Sequence, residues 1–148
     1  MLTNGFLAAD QAFLDATTPM DGVERIRAGT TANVCFLRGP SRDKLQLITA
    51  NVGDSRAVLC RSGKAVRLSE DHKPDRKDER QRIEESGGSV LLIGQSWRCT
   101  KGKEWGNTRF KMPEDQLLLA CSRSLGDREA SRFGARIWPL PLLLSVIL

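Results

Sequence analysis

The sequence predicts an α+β fold built mainly from antiparallel strands with flanking helices. Three observations predict it. Residues 2–17 place Leu2, Phe6, Ala9 and Phe13 at steps of four, three and four, which makes one apolar helical face. Residues 30–68 form short apolar or β-branched runs separated by turn residues, the pattern of an antiparallel meander. The stretch that follows, 76–86, is charged and helical in period. At 148 residues the chain has the size of one domain and is long enough to bury a core.

Taken in order, the helix over 2–17 ends where Pro19, Asp21 and Gly22 break the pattern. TTANVCFLRG (30–39) reads as a strand stopped by Gly39-Pro40, KLQLITANV (44–52) as a second and RAVLC (56–60) as a third. Ser62-Gly63 makes a hairpin turn into a fourth strand, KAVRL (64–68). Asp75 is placed to cap a helix starting near Arg76, with Gly87-Gly88 to stop it. The pairs Asp78/Arg82 and Arg80/Glu84 sit four apart and support that helix. Ile83 is its one large apolar residue, so it should touch the core by a narrow edge. SVLLI (89–93) returns to strand. Residues 94–115 have no clear period and read as a long loop or insertion, in which Trp97 and Trp105 either anchor the insertion to the core or form a flap. QLLLACSRSLGD (116–127) reads as a buried strand followed by a turn. The last run, 142–148, carries no charge. Even counted from Ile137 it falls far short of the ~20 residues that span a bilayer, and Pro139 and Pro141 disfavour a helix. A core strand, an interfacial anchor and a non-native tail all remain open for it.

Composition narrows the function classes. Lys and Arg outnumber Asp and Glu by 23 to 18, a net charge of +5, but the basic residues are interspersed with acidic ones and Tyr is absent. Nucleic-acid binders concentrate such charge in a patch and often add aromatic platforms, so no nucleic-acid partner is expected. A small basic nucleic-acid-binding domain is the unrelated alternative, and it would show steep salt dependence. Cys35, Cys60, Cys99 and Cys121 include no close pair and His72 is the one histidine, which disfavours a structural zinc site. Cys35 and Cys60 lie in apolar runs and are expected to act as small hydrophobes in a reducing compartment, cytoplasmic or nuclear. The N-terminus lacks the basic flank and apolar block of a signal peptide, and no transmembrane segment is expected.

One knot stands out. In ANVGDSRAVLC (50–60), two apolar runs meet at Gly53-Asp54-Ser55-Arg56. Gly53 permits a positive φ or a close backbone approach, and Asp54 projects a carboxylate from a strand end, where it could face a hard cation. The local residues alone favour the plainer use, in which Asp54 accepts hydrogen bonds from its own turn.

The wider context resembles the metal-dependent protein Ser/Thr phosphatases of type 2C. AGTTA (28–32) resembles the family's Gly-Ser/Thr-Thr-Ala strand start, behind a helix placed as in the family. Asn51-Val52-Gly53-Asp54-Ser55-Arg56, then Asp71-His72-Lys73-Pro74, then Glu79-Arg80 through Ile83 to Gly87-Gly88 follow in the family's order. Ser122-Arg123-Ser124-Leu125-Gly126-Asp127 resembles its Ser-Arg-Ala/Ser-Phe/Leu-Gly-Asp. The resemblance covers most of residues 6–127. It implies a partial α-β-β-α sandwich over 1–127, with 128–148 an apolar tail unlike the family's continuation. It also implies phosphoserine and phosphothreonine hydrolysis on phosphoprotein substrates by water held on Mn²⁺ or Mg²⁺, metals that lower the water's pKa and offset phosphoryl charge. Asp54 is then the metal-linked carboxylate, in a turn supported by Gly53, Ser55 and Arg56, and Asp127 is a family-motif residue with no assigned role.

The departures shape the expectation. The family's N-terminal Glu and Arg, its Asp-Gly-His-Gly turn, its Asp-Gly-x-aromatic-Asp motif and its final Asp-Asn do not occur in these residues. Asp21-Gly22 is followed by Val23-Glu24 and reads as a turn, while His72 belongs to the Asp-His-Lys-Pro loop and suits local hydrogen bonding rather than catalysis. No catalytic residue is therefore assigned. The chain is expected to be a fragment that lies between the two metal motifs, inactive alone and aggregation-prone or partner-dependent, because half a sandwich exposes an apolar face and open strand edges. The alternative is a non-catalytic, pseudophosphatase-like interaction module.

Overall fold

A computed structural model describes residues 2–18, 28–41, 44–101, 117–133 and 142–147. Helix α1 (Leu2–Ala16) forms where the sequence pattern places it. Its buried side chains are Phe6, Asp10 and Leu14, with Phe13 still 38% exposed, so the core-facing stripe is turned one position from the expected face and carries a carboxylate. Strands β1 (Gly29–Thr30), β2 (Ala32–Arg38) and β3 (Gln46–Val52) follow. β2 and β3 pair antiparallel, with Cys35 opposite Thr49. Phe6 packs on Ala50 and Val52, flanked by Leu2, Leu7, Ala32 and Leu125, so α1 covers one face of this sheet.

The meander expected over 30–68 is instead two separate pieces. Strands β4 (Val58–Arg61) and β5 (Lys64–Arg67) form a hairpin around Ser62-Gly63, but β4 does not pair with β3. Gly53, at φ +96°, diverts the chain after β3. A side chain there is excluded twice over, because an added Cβ would lie 2.2 Å from Thr31 Cγ2. The second edge of β3 is taken by a strand at the end of the chain, residues 142–147, whose Ser145 lies opposite Ile48. Residues 142–147 of the apolar run form a strand, and it protects an edge that would otherwise be open.

Helix α2 (Lys77–Glu85) is capped differently from the sequence pattern. Arg76, not Asp75, occupies the N-cap, makes no side-chain cap bond and forks onto Asp78 at 2.7 Å. Arg80 pairs with Glu84 at 2.8 Å as expected, but Arg82 turns from Asp78 to Glu79 at 2.7 Å. Beyond Gly87, strands β6 (Gly88–Ile93) and β7 (Ser96–Lys101) form a second hairpin, so the first part of the expected loop over 94–115 is a strand. The rest of that loop, Trp105 included, lies outside the described residues. Ile83, Val90, Cys99 and Ala130 make a second core, with Trp97, Leu117 and Leu119 packed against it and the Arg80 guanidinium 5.6 Å above the Trp97 ring. In QLLLACSRSLGD, the described residues form a bridge between Leu119 and Cys99 and the short strand β8 (Leu125–Gly126), which pairs with β1; a 3₁₀ turn (Arg128–Phe133) follows. All four cysteines are free, but Cys35 and Cys60 are exposed, and it is Cys99 that serves as a core hydrophobe. No helix among the described residues is long and apolar enough to cross a membrane.

Ile83 is fully buried and Leu92 is 56% exposed on the adjoining hairpin. Ile83→Ala is expected to lower unfolding free energy by about 2–5 kcal/mol and Leu92→Ala by under about 1 kcal/mol, read as shifts of the urea midpoint.

Candidate functional site

The knot at Gly53 is clasped by the 71–74 loop. The His72 backbone N–H donates to the Gly53 carbonyl at 3.0 Å, and the Gly53 N–H donates to His72 Nδ1 at 3.1 Å. Both polar groups of the diverted glycine are thus satisfied by one residue. Asn51 Nδ2 adds bonds to the carbonyls of Gly53 (2.9 Å) and Glu70 (3.0 Å), and Ser122 N–H bonds the His72 carbonyl at 2.8 Å. His72 Nδ1 also lies 3.2 Å from the Gly53 carbonyl, its donor or acceptor role following the tautomer, and Nε2 is buried without a partner among the described residues. Burial first, and the nearby Arg123 charge second, push the imidazole down to about 4, so it is neutral at neutral pH.

On the outer side of this clasp lie the predicted residues. The Asp54 carboxylate is bonded directly by the Lys73 ammonium. Ser55 Oγ and Thr31 Oγ1 share a hydrogen bond of 2.7 Å. Arg56 forks onto Asp71 at 2.6 and 3.1 Å, and Arg67 reaches the same carboxylate at 3.0 Å. The Arg56 hydrogen bond outweighs partial burial and holds the Asp71 carboxyl below its ordinary range. Gly53, Asp54, Ser55 and Arg56 therefore all sit in one turn, but their polar contacts go to neighbouring loops.

On the inner side, the segment 122–127 is fixed by a buried carboxylate. Glu79, fully buried on α2, accepts from Ser122 Oγ (2.5 Å), Arg123 Nε (3.0 and 3.1 Å) and Arg82 Nη2 (2.7 Å). Burial pushes this carboxyl up, and the bonds from Arg123 and Arg82 outweigh it, leaving Glu79 at about 2. Further along, the Gly126 N–H donates to the buried Asp10 carboxylate at 2.7 Å. Asp127 follows at φ +40°, its carboxyl raised by burial and packed so close to Gly29 that a Cβ there would fall 2.2 Å from Asp127 Cγ. The Cys121 thiol, pushed up to about 11 by burial and then by the negative charges of Asp54 and Asp127, places the two aspartates in one neighbourhood.

Divalent Mn²⁺ or Mg²⁺ needs several oxygen ligands around one point. Asp54 is already paired with an ammonium, burial raises the Asp127 carboxyl above its ordinary range, and Cys121 holds its proton. Among the described residues no three His, Cys, Asp or Glu side chains converge on a possible ion. These residues do not fit a resident metal pair. Lys73, Glu79 and Arg123 stand in the sequence motifs without a role of their own, and Asp10 lies outside them. Glu79 carried a usable signal: it lies four residues before Ile83, on the same helical stripe as the one apolar anchor.

Comparison with known proteins follows the same lines. A family model described as Protein phosphatase 2C matches residues 1–146. Probable protein phosphatase 2C 59 of Oryza sativa subsp. japonica is 55% identical over 101 residues, 68% of this chain and 24% of that protein. Protein phosphatase 1K, mitochondrial, of Xenopus laevis is 37% identical over 134 residues, 90% of this chain and 31% of that protein. The crystal structure of serine-threonine phosphatase 2C from Toxoplasma gondii superposes with a TM-score of 0.70 at 21% identity, covering 97% of this chain and 44% of that one, a likeness of fold. The chain spans roughly a fifth to a third of the length of the curated relatives it matches.

Two buried groups set an acid dependence. His72 takes up its proton at about 4 in the folded chain against 6.5 ordinarily, so stability falls as pH drops from 6.5 toward 4. Glu79, at about 2 against 4.5, contributes fully above pH 4.5 and loses its contribution as pH falls through 2. The urea midpoint is therefore expected to decline between pH 6.5 and 4.5 through His72 alone of these two. The decline should flatten in His72→Asn, which offers an acceptor and does not titrate. Glu79→Gln should cost about 3–5 kcal/mol at neutral pH, because it leaves the buried Arg123 and partly buried Arg82 guanidinium groups facing a neutral amide.

Proposed function

The chain belongs to the protein phosphatase 2C family, and from that premise we propose that it is the central portion of a metal-dependent protein Ser/Thr phosphatase domain, catalytically silent by itself. The observation that carries the reading is the convergence of Gly53-Asp54, Lys73 and Ser122–Asp127 on one clasp, with Ser122 bonded to His72 and His72 bonded to Gly53. Elements about 70 residues apart in sequence thereby lie side by side.

In this reading phosphoproteins are the substrates of the complete domain, and Asp54 is the carboxylate linked to its more weakly held metal. Gly53, Ser55 and Arg56 hold that turn, and Asp127 closes the segment beneath it. Mn²⁺ or Mg²⁺ supplies the activated water in the complete domain through ligands this set of residues does not provide, so no chemical step is assigned to this chain. The four free cysteines support a cytoplasmic or nuclear setting. A second reading, a non-catalytic interaction module, is favoured by the exposed Val34, Phe36 and Leu37 of β2.

Two measurements separate these. The purified chain with Mn²⁺ and a phosphothreonine peptide is expected to release phosphate no faster than Mn²⁺ alone. A chimera carrying residues 28–127 between the flanking segments of a catalytically active relative is expected to turn the peptide over. Asp54→Ala should lower that kcat by roughly tenfold or more. A folded chimera with no turnover would leave the interaction module as the better reading.

A further inference from the structure

We propose that the β4–β5 hairpin is a docking site for an acidic, extended polypeptide segment of a partner protein, whose carboxylates it takes at Arg61 and Lys64. The inference rests on charge and strand geometry and is independent of the phosphatase reading.

Between Asp54 and Glu70 the chain carries four cations, Arg56, Arg61, Lys64 and Arg67, and no acid. Elsewhere basic residues are interspersed with acidic ones, so this hairpin holds a charge of +4 in a chain whose net charge is +5. The cations divide by position. Arg56 and Arg67 stand at the open end, and both bind the Asp71 carboxylate. The Ala57 N–H donates to Ser69 Oγ at 2.8 Å, and the Leu68 N–H donates to the Ala57 carbonyl at 2.9 Å, so the base of the hairpin is fixed. Arg61 and Lys64 stand at the other end, exposed, and lie opposite each other across the Ser62-Gly63 turn. Both turn residues have positive φ, +50° and +75°, the tight two-residue connection that sets this register. Like charges directly opposite on neighbouring strands destabilise the pair. No acidic side chain among the described residues forms an ion pair with either cation.

The tip therefore presents two facing cations on a fixed base, and an anion placed between them offsets their repulsion. The strands supply the rest of the site. Neither outer edge of this two-stranded sheet carries another strand among the described residues, which leaves backbone donors and acceptors for an added strand. Arg61 and Lys64 share one face, whereas Val58, Cys60 and Ala65 lie exposed on the other. An added strand places alternate side chains on the two faces, so the matching segment alternates acidic residues with small or apolar ones. Two cations are fewer than the roughly four to eight that hold a basic segment on an anionic bilayer. Residues 55–69 contain no aromatic side chain on which a nucleic-acid base would stack. A polypeptide is the partner that uses the charged tip and the open edge together.

The test follows fluorescence anisotropy of a fluorescein-labelled octapeptide of alternating Glu and Thr as the full chain is added at about 50 mM salt. Saturable binding that weakens with rising salt is expected. The double variant Arg61→Glu, Lys64→Glu should weaken it about fivefold or more relative to the charge-matched control Arg38→Glu, Lys77→Glu, which alters two exposed cations on β2 and α2. Arg61→Gln removes the facing charge and should keep the urea midpoint at or above that of the unaltered chain. Where the double variant fails to fold, a loss of peptide affinity of about threefold or more in Arg61→Gln supports the proposal, and a smaller loss overturns it. Absence of saturable binding, or a difference from the control below about fivefold, would also overturn it. So would phosphatidylserine vesicles or a DNA duplex bound more tightly than the peptide through the same two residues.

Discussion

The Glu79 carboxylate is fully buried, where an unpaired charge would be expelled or neutralised. It stays ionised because Arg123, Arg82 and Ser122 all donate to it. That requirement links two segments more than 40 residues apart, because the donors on 122–123 must come to the helix that carries Glu79. Once they do, Ser122 N–H is in place for His72, His72 for Gly53, and Gly126 N–H for Asp10 on α1. The two apolar clusters are small. Packing alone would not set their relative position as sharply as this buried polar chain does.

The parts of the fold legible in the sequence are those governed by local periodicity. α1, β2, β3, the Ser62-Gly63 hairpin and α2 lie within a few residues of their expected bounds, because 3.6-residue and two-residue patterns act on neighbours. What could not be read locally is partnership. β3 looked like the centre of a meander, but the edge that β4 was expected to fill goes to residues 142–147, nearly a hundred positions away. β7 was hidden because its strand character rests on pairing with β6, and SWRCTK has few of the β-branched residues that announce a strand. Asp75 and Asp78 were given roles by spacing, but Arg76 occupies the cap and takes Asp78 for itself.

The candidate site divides in the same way. The ordered motifs identify the family and mark Asp54, because motif order survives without coordinates. They say nothing about which side chain Asp54 faces. A carboxylate at a strand end is equally suited to a metal, to its own turn or to a nearby ammonium, and only the three-dimensional path of the 71–74 loop decides among them. That path depends on His72, whose role was anticipated as hydrogen bonding but whose complete burial was not.

The clasp also explains how a turn crowded with acidic residues sits in a stable fold. A site built from several free carboxylates would carry mutual repulsion whenever its ions were absent, a cost to the folded state. Here the acids of the clasp have their own partners: Lys73 for Asp54, and Arg56 and Arg67 for Asp71. The turn is thus self-compensated, and its geometry is held by backbone bonds between Gly53 and His72 rather than by an ion.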